Sequence, residues 1–306
     1  MTIKIATLCQ DAFKQAFITA MQNSGGIEKI DAGAFWFLSK VQSLFAHLRY
    51  YFSLPSNKQM ALFVPTNGSL LVHESLPWCF DHEIVPFLWD CWPYCWDKLE
   101  FSLKLLKVRL CFVTSRQVQA ELASRLPRLK CIYIPEAVNP EKFMPALPLK
   151  DRRIKLYEIG RRHEKYHKVL QQYFDGDSGY IAHRVEDFYG TMANTQIAVS
   201  FPRCDTMPEM AGKIETLTER YWESMLSGCL MLGRAPQELI DLIGYKPVVD
   251  VDWNAPEQQL RHLQNHIEEY QALVDKNLKT AQRMGLWKHR VPQILSILKE
   301  EGYTWE

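Results

Sequence analysis

The chain has 306 residues, a length typical of about two domains. Hydrophobic residues make up 47% and charged residues 23%, a mixture that excludes a largely disordered or fibrous protein. The 36 basic and 35 acidic side chains give a formal net charge of +1, so no global charge attracts the protein to nucleic acid or acidic lipid.

Short apolar runs predict strands in the first third of the chain. They cover residues 3–8, 60–65, 69–74 and 83–90. Residues 33–52 are apolar and aromatic with Lys40, His47 and Arg49 interspersed. This segment is consistent with a core helix, and also with an interfacial helix in peripheral contact with a membrane.

Strands and helices alternate through the rest of the chain. Residues 110–143 read as strand, helix and strand, a unit that implies parallel pairing and a right-handed crossover. Residues 143–153 contain two prolines and then charged residues, as expected for a linker. Beyond it, strands are predicted at 155–160, 196–202, 229–234 and 246–253, with helices at 165–174, 218–228, 236–244, 257–284 and 292–302. The pattern predicts an α/β fold of two Rossmann-like, doubly wound domains facing a cleft, residues 1–147 and 148–306.

The cysteines and the N-terminus indicate a cytoplasmic protein. Several of the eight cysteines lie in apolar strand-like runs, where buried free thiols are expected rather than disulfides. Cys91 and Cys95 have no second pair at short spacing, so no zinc site is predicted. The first residues lack the features of a signal peptide, and no apolar run is long enough to span a membrane.

Residues 203–234 carry the densest set of chemically useful side chains. Glu215 precedes a predicted helix and Glu223 lies one to two turns inside it. Backbone N–H groups at a helix start attract an anion such as phosphate, and a carboxylate further along can accept two vicinal ribose hydroxyls. Arg203 and Arg220 can add charge-assisted bonds to phosphate oxygens. These groups together suit a nucleotide bearing a sugar.

Structural interpretations of the same interval remain open. Thr216 and Glu219 have the spacing of a capping box, which would give Glu219 a purely structural role. The apolar residues of the helix, Tyr221, Trp222, Met225 and Leu226, are expected in the core. Two glutamates at this spacing also occur by chance.

Several segments in chain order resemble the GT-B glycosyltransferases of the group-1 (family 4) type. The run ETLTERYWESMLSGCLMLG resembles the region with two glutamates in that family. LYEIGRRHEKYHKVL resembles the opening of its donor domain, and YGTMANTQIAVSFPR the helix and strand that end in a basic residue. CFVTSRQVQAEL with CIYIPEAVNPEKF resembles the end of its acceptor domain, and LWKHRVPQILSIL its closing helix. The resemblance spans residues 85–300.

The resemblance implies an acceptor-binding domain at 1–147, a donor-binding domain at 148–306 and a last helix, about 290–306, that returns to the first domain. It implies that Glu223 binds the ribose and that Glu215, a candidate catalytic residue, contacts the donor sugar or its phosphate side. Gly160 would let the backbone pass close to the phosphates. The other implied donor-binding residues are Arg161, Arg162, Lys165, Arg203, Thr218 and Arg220.

This chain departs from the family pattern in three places. Thr216-Leu217-Thr218 stands where the family often has Gly-Phe-Gly. Lys165 and Lys168 straddle the usual position of a phosphate-binding lysine, which leaves the choice between them open. The first half lacks the Gly-rich first loop.

An acidic residue at a strand end is the candidate for the acceptor side. Asp90 follows a predicted strand within PFLWDCWPYCWDK, a run whose aromatic faces suit sugar stacking or an ordinary core. We expect Asp90 to orient the acceptor hydroxyl or accept its proton; a helix cap is the alternative. His73 and Glu74 have a similar position. The pairs Asp175/Asp177 and Asp250/Asp252 are interpreted as structural, so no metal site is predicted.

The sequence therefore predicts a hexosyltransferase-type glycosyltransferase that moves a sugar from a nucleotide-sugar to a hydroxyl of a glycan or lipid-linked acceptor. The donor is a co-substrate and no cofactor is expected. Arginines, lysines and helix dipoles would stabilise the leaving diphosphate without metal. By resemblance the reaction retains anomeric configuration and serves surface polysaccharide synthesis. The alternatives are a nucleotide-sugar epimerase or phosphorylase on the same fold, or a non-catalytic partner subunit.

Overall fold

The chain forms two compact units, which are described separately. A computed structural model describes residues 1–7, 12–31, 58–76, 78–144, 147–181 and 187–305. The aromatic segment 33–52 and Cys9 lie outside the described residues. Unit 1 comprises Met1–Pro135 with Trp287–Glu306, and unit 2 comprises Glu136–Leu286.

Unit 1 is built on a parallel sheet of six described strands in the order β2-β1-β3-β4-β5-β6. The strands are β1 (Thr2–Thr7), β2 (Lys29–Asp31), β3 (Met60–Asn67), β4 (His82–Trp89), β5 (Leu110–Val113) and β6 (Lys130–Tyr133). Its helices, numbered along the whole chain, are α1 (Ala12–Gly25), α2 (Leu71–Ser75), α3 (Trp96–Leu105), α4 (Arg116–Arg125) and α13 (Trp287–Glu300). Short 3-10 turns lie at Gly68–Leu70, Trp78–Phe80 and Pro93–Cys95. The strands read as continuous apolar runs because both faces of a parallel sheet are covered.

The last helix returns to unit 1, as predicted. Trp287 of α13 is fully buried, and its ring centroid lies 4.9 Å from that of Phe17 on α1. Phe87 of β4 joins the same aromatic cluster, with its centroid 5.0 Å from Phe17. This apolar contact holds the end of the chain on the sheet formed by its beginning.

One predicted strand of unit 1 is wrong. Residues 69–74 form the end of a 3-10 turn and most of α2 instead of a strand. Leu71 and Val72 are buried, so the apolar run is real, but a run this short does not distinguish a strand from one helical turn. The preceding strand, β3, is longer than predicted and extends to Asn67. The 3-10 turn Gly68–Leu70 follows it directly.

Unit 2 is built on a parallel sheet of five described strands in the order β11-β10-β9-β7-β8. The strands are β7 (Ile154–Ile159), β8 (Gly179–Ile181), β9 (Thr195–Ser200), β10 (Leu230–Gly233) and β11 (Val248–Asp250). The helices are α5 (Glu164–Leu170), α6 (Phe188–Ala193), α7 (Arg203–Thr206), α8 (Pro208–Ala211), α9 (Glu219–Leu226), α10 (Gln237–Ile243), α11 (Pro256–Asn265) and α12 (Gln271–Met284). Further 3-10 turns lie at Pro140–Lys142, Leu149–Asp151, Gln171–Tyr173 and Ile267–Tyr270. The strand order reverses between β7 and β9, which is where a doubly wound sheet opens a crevice.

The chain joins unit 2 upstream of the predicted boundary at 147/148. The indole Nε1 of Trp222 donates to the carbonyl oxygen of Glu136 at 2.8 Å. Val138 is buried in the same core cluster as Leu217 and Trp222. These contacts place the residues before the proline-containing segment in the second core, which sequence composition alone does not reveal.

None of the described helices is long and apolar enough to cross a membrane. The seven described cysteines are all free thiols, and burial raises the pKa of Cys91 and Cys229 among them.

A glycine beside the buried indole of Trp222 provides a test of this core. A Cβ placed on Gly285 would lie 2.5 Å from Cε3 of Trp222, although its φ of −91° is open to any residue. We expect Gly285→Ala to lower the free energy of unfolding by about 1–3 kcal/mol through overpacking. Gly179→Ala is the matched control, because a Cβ there meets nothing within 4 Å. Urea denaturation of both variants measures the difference; equal stability would show that Trp222 moves aside without cost.

Candidate functional site

The residues predicted to bind the donor surround the crevice at the ends of β7 and β9. Gly160 directly follows β7 and has a φ of +77°, a backbone conformation that favours glycine. Arg203 follows β9 after two residues and begins α7. Since the strands are parallel neighbours, both residues lie at the same edge of the sheet.

Arg220 of α9 lies directly against Gly160. A Cβ on Gly160 would come within 2.1 Å of Nη2 and 2.4 Å of Cζ of Arg220. Any side chain at position 160 would therefore displace the guanidinium. The two residues are 60 positions apart in the chain, and this contact brings the predicted phosphate turn and the predicted nucleotide helix together.

The charges around Arg220 are of both signs. Burial lowers the pKa of Arg220, the charge of Glu223 raises it, and the like charge of Arg203 lowers it again. Arg203 and Glu223 are themselves buried, at 9% and 5% exposed. Two guanidinium groups that repel each other in a partly desolvated place favour the binding of an anion. The structure thus brings together Gly160, Arg203, Arg220 and Glu223.

The start of α9 differs from the prediction. The helix begins at Glu219 with Thr218 as its N-cap residue, and the Thr218 hydroxyl makes no capping bond. A capping box of Thr216 and Glu219 is therefore wrong, because Glu219 is the first helical residue. The backbone N–H of Glu219 donates to a carboxylate oxygen of Glu136 at 3.1 Å. An internal carboxylate thus takes the anion position that the sequence assigned to phosphate.

The inward face of α9 is core, as predicted. Tyr221, Trp222 and Met225 have no exposed surface and Leu226 is 6% exposed.

Glu215 lies in the loop before α9, where two groups hold it. It accepts hydrogen bonds from the guanidinium of Arg234 and, at 2.8 Å, from the backbone N–H of Gln237. Arg234 also donates to both oxygens of Asp205, at 2.6 and 2.8 Å, and these bonds raise its pKa. The sequence prediction missed Asp205 and Arg234. Arg234 could have been found, since it follows β10 at the same edge of the sheet.

The segment after Gly160 is basic and packs beside aromatic rings. Arg161 and Arg162 are exposed, and His163 caps α5 by accepting from the backbone N–H of Tyr166 at 3.4 Å. The His163 ring lies 5.0 Å from that of Trp253, which is 41% exposed. The ammonium group of Lys165 lies 4.9 Å from the Trp253 ring centroid.

Trp253 is a part of the site that the sequence prediction missed. It lies three residues after the end of β11, and Arg234 directly follows β10, so attention to the residues after each strand could have found both.

Asp90 directly follows β4 in unit 1 and is partly exposed. Its φ of +49° is uncommon for a residue other than glycine, although aspartate tolerates it better than most. The helical turns that follow have Trp92 and Cys95 as N-cap residues, so the helix-cap alternative for Asp90 is wrong. Trp89 and Trp92 are buried at 7% and 2% exposed, so this part of the aromatic run belongs to the core.

The other acidic candidates make local ion pairs. Asp177 lies 3.4 Å from Arg153, and Asp250 pairs with Lys246 four residues earlier. Glu74 of α2 lies 3.8 Å from Nζ of Lys14, and both side chains are buried. Within the described ranges no cluster of three or more His, Cys, Asp or Glu side chains is arranged to hold a metal ion.

Comparisons with known proteins identify the fold. No family model and no curated protein sequence matches the chain. Among solved structures, HepE of Anabaena in complex with UDP-glucose is 10% identical, with 98% of this chain and 100% of that chain covered and a TM-score of 0.61. Sucrose-phosphate synthase of Thermosynechococcus elongatus is 12% identical over 90% and 81% of the two chains, with a TM-score of 0.53.

The trehalose-6-phosphate phosphatase N-terminal domain of Candida albicans is 9% identical over 97% and 96% of the two chains, with a TM-score of 0.57. At such identities the likeness concerns architecture. The chain has the GT-B fold of glycosyltransferases, two Rossmann-like α/β units, as the sequence predicted.

The cap of α5 provides a pH-dependent test. Burial lowers the pKa of His163, with the charge of Asp205 opposing it. The folded protein therefore binds a proton at His163 less well than the unfolded chain does, in which a histidine has a pKa of about 6.5. As the pH falls below that value, His163 contributes a loss of stability, which is complete below its folded-state pKa. Protonation also removes the lone pair that accepts from Tyr166.

We expect His163→Asn to remove this loss, because asparagine caps a helix at any pH in the range. Thermal unfolding of both proteins between about pH 7.5 and 5.5 measures the change, with the exposed His262→Asn as control. Parallel pH profiles of the His163 variant and the unchanged protein would show that protonation of His163 does not lower the stability of the folded protein.

Proposed function

We propose that the protein is a nucleotide-sugar glycosyltransferase that moves a hexosyl group to a hydroxyl of a glycan or lipid-linked acceptor. One observation carries this proposal: Arg203 and Arg220 repel each other beside Gly160 and the buried Glu223, at the switch point of the unit 2 sheet. A diphosphate relieves that repulsion, and the carboxylate can accept hydrogen bonds from the hydroxyls of a ribose. Proteins of the same fold, such as HepE, are described in complex with UDP and UDP-glucose, which makes UDP-sugars the first donors to test.

The proposed reaction replaces one bond at the anomeric carbon. The bond to the diphosphate oxygen breaks, the acceptor oxygen bonds to the same carbon, and the hydroxyl proton leaves to a base. Arg203 and Arg220, with Arg161, Arg162 and Lys165 on the turn after β7, stabilise the charge that develops on the diphosphate. Because these cations can stabilise the diphosphate, we propose that the reaction needs no metal. We also propose that the anomeric configuration is retained.

The carboxylates have separate roles in the proposal. Glu223 accepts the ribose hydroxyls. Glu215, fixed by Arg234 and Gln237, is a rigid acceptor for a hydroxyl of the donor sugar. Thr218 has a hydroxyl not used for capping, which can donate to the nucleotide. Asp90 orients the acceptor hydroxyl and is the candidate for the base that accepts its proton. A role in surface polysaccharide synthesis is the biological setting that we propose for this activity.

Removing the charge of Glu223 tests the donor site. We expect Glu223→Gln to weaken binding of UDP by about ten- to hundredfold. This loss corresponds to the free energy of hydrogen bonds to a charged group. Calorimetry with UDP, ADP, GDP and dTDP identifies the base and measures the loss, and Glu268→Gln, on the surface of unit 2, is the matched control. A protein that binds none of the four nucleotides would be a non-catalytic partner subunit. Donor breakdown or isomerisation without an acceptor would identify a phosphorylase or an epimerase.

Asparagine at position 90 separates the carboxylate from the backbone conformation, because asparagine also tolerates a positive φ. We expect Asp90→Asn to lower kcat by about 10²- to 10⁴-fold, as for loss of a general base, with nucleotide affinity unchanged. The highly exposed Asp97→Asn is the control. Turnover and acceptor KM equal to those of the unchanged protein would remove Asp90 from the reaction.

A further inference from the structure

A buried carboxylate and a buried imidazole lie beneath the basic turn after β7. Glu158 of β7 is 1% exposed and His167 of α5 is 6% exposed. One carboxylate oxygen of Glu158, Oε2, makes a short hydrogen bond with Nδ1 of His167. The rings of Phe174 and Tyr180 pack against the imidazole, with centroids 6.0 and 5.7 Å away. None of these residues belongs to the predicted donor site.

Arg162 determines which nitrogen of His167 carries the proton. Its Nη1 lies 3.4 Å from Nε2 of the imidazole. A guanidinium group only donates, so Nε2 must present its lone pair, and the proton of a neutral imidazole then lies on Nδ1. Nδ1–H donates to Glu158. The three side chains form a chain with a single direction: Arg162 donates to His167, and His167 donates to Glu158.

Arg162 is held on its other sides as well. Its Cζ lies 5.1 Å from the centroid of the Tyr180 ring, and its Nε lies 3.8 Å from a carboxylate oxygen of Glu164. Arg162 also lies two residues after Gly160, against which the guanidinium of Arg220 packs. An arginine with 42% of its side chain exposed is thereby restricted to one place near the cations at the switch point.

Burying Glu158 and His167 costs free energy that a pair of apolar side chains would not cost. Burial raises the pKa of Glu158, and the hydrogen bond from His167 opposes this rise. Within the described residues, the second oxygen of Glu158 has no hydrogen-bond partner. Apolar side chains at both positions would avoid these costs, so the pair has a use that packing does not supply.

We propose that Glu158 and His167 are positioning residues that fix the guanidinium of Arg162 to receive the diphosphate of the donor. This inference rests on the proposed function. Arg162 would otherwise lose side-chain entropy on binding; holding it beforehand increases the affinity for the diphosphate and leaves the affinity for the nucleoside unchanged.

Two substitutions of His167 separate its two nitrogens. His167→Asn retains an N–H at the Nδ1 position for Glu158 and lacks the acceptor for Arg162. His167→Gln retains an acceptor at the Nε2 position. We expect His167→Asn to weaken binding of the best nucleoside diphosphate of the panel by about three- to tenfold, and His167→Gln to restore much of that loss. The affinity for the corresponding nucleoside, measured by displacement, stays unchanged, and the exposed His262→Asn is the control.

A double-mutant cycle with Arg162→Ala distinguishes positioning from a general structural role. If His167 acts through Arg162, His167→Asn causes no further loss of diphosphate affinity in the Arg162→Ala background. Losses that multiply, or an equal loss of nucleoside affinity, would overturn the inference. An unchanged protein that binds no nucleotide would instead overturn the proposed function.

A measurement on the unchanged protein covers the case in which the His167 variants do not fold. The imidazole ¹⁵N spectrum is expected to show a neutral ring protonated at Nδ1, with Glu158→Gln changing that signal. A ring protonated at Nε2 would contradict the inference, because Nε2 could then not accept from Arg162.

Discussion

The contact between Arg220 and the backbone of Gly160 is the constraint on which the candidate site depends. The guanidinium occupies the space that a Cβ at position 160 would fill. Glycine is therefore required for two reasons, its positive φ and the arginine beside it. The contact fixes α9, which carries Glu223, relative to the turn that carries Arg161 and Arg162. Without it, α9 and the basic turn would be independent features of the same sheet edge.

The electrostatics of unit 2 divide its arginines into two groups. Arg234 is neutralised by Asp205 and Glu215, so its function is to shape the loop before α9. Arg220 lies near Glu223 and Arg203, where charges of both signs act on it. The first N–H of α9 already binds the carboxylate of Glu136. An anion at this edge would therefore be held mainly by guanidinium groups, whose paired N–H donors match phosphate oxygens, and less by the helix dipole.

The sequence predicts the architecture well because alternating apolar runs and helical segments permit few parallel arrangements. It fails where the decision depends on contacts distant in the chain. Residues 69–74 contain an apolar run as short as a strand, yet they form the end of a 3-10 turn and most of α2. The capping box at Thr216 has a valid spacing, yet α9 starts at Glu219, and the first N–H of the helix donates to Glu136, 83 residues away in the chain. Asp90, Gly160 and Arg203 follow strand ends, where a general rule points to a site. Glu158 and His167 lie within a strand and a helix, and no such rule points to them.

The fold by itself leaves the activity open, since proteins of similar structure are described as a sucrose-phosphate synthase and as a domain of a trehalose-6-phosphate phosphatase. The proposal of sugar transfer rests on two groups of polar side chains in unit 2. The buried, hydrogen-bonded pair of Glu158 and His167 costs desolvation, and Arg203 and Arg220 repel each other at one edge of the sheet. In the proposed function both costs are offset by a bound diphosphate, because it would pair with the arginines and make use of the geometry that the buried pair maintains.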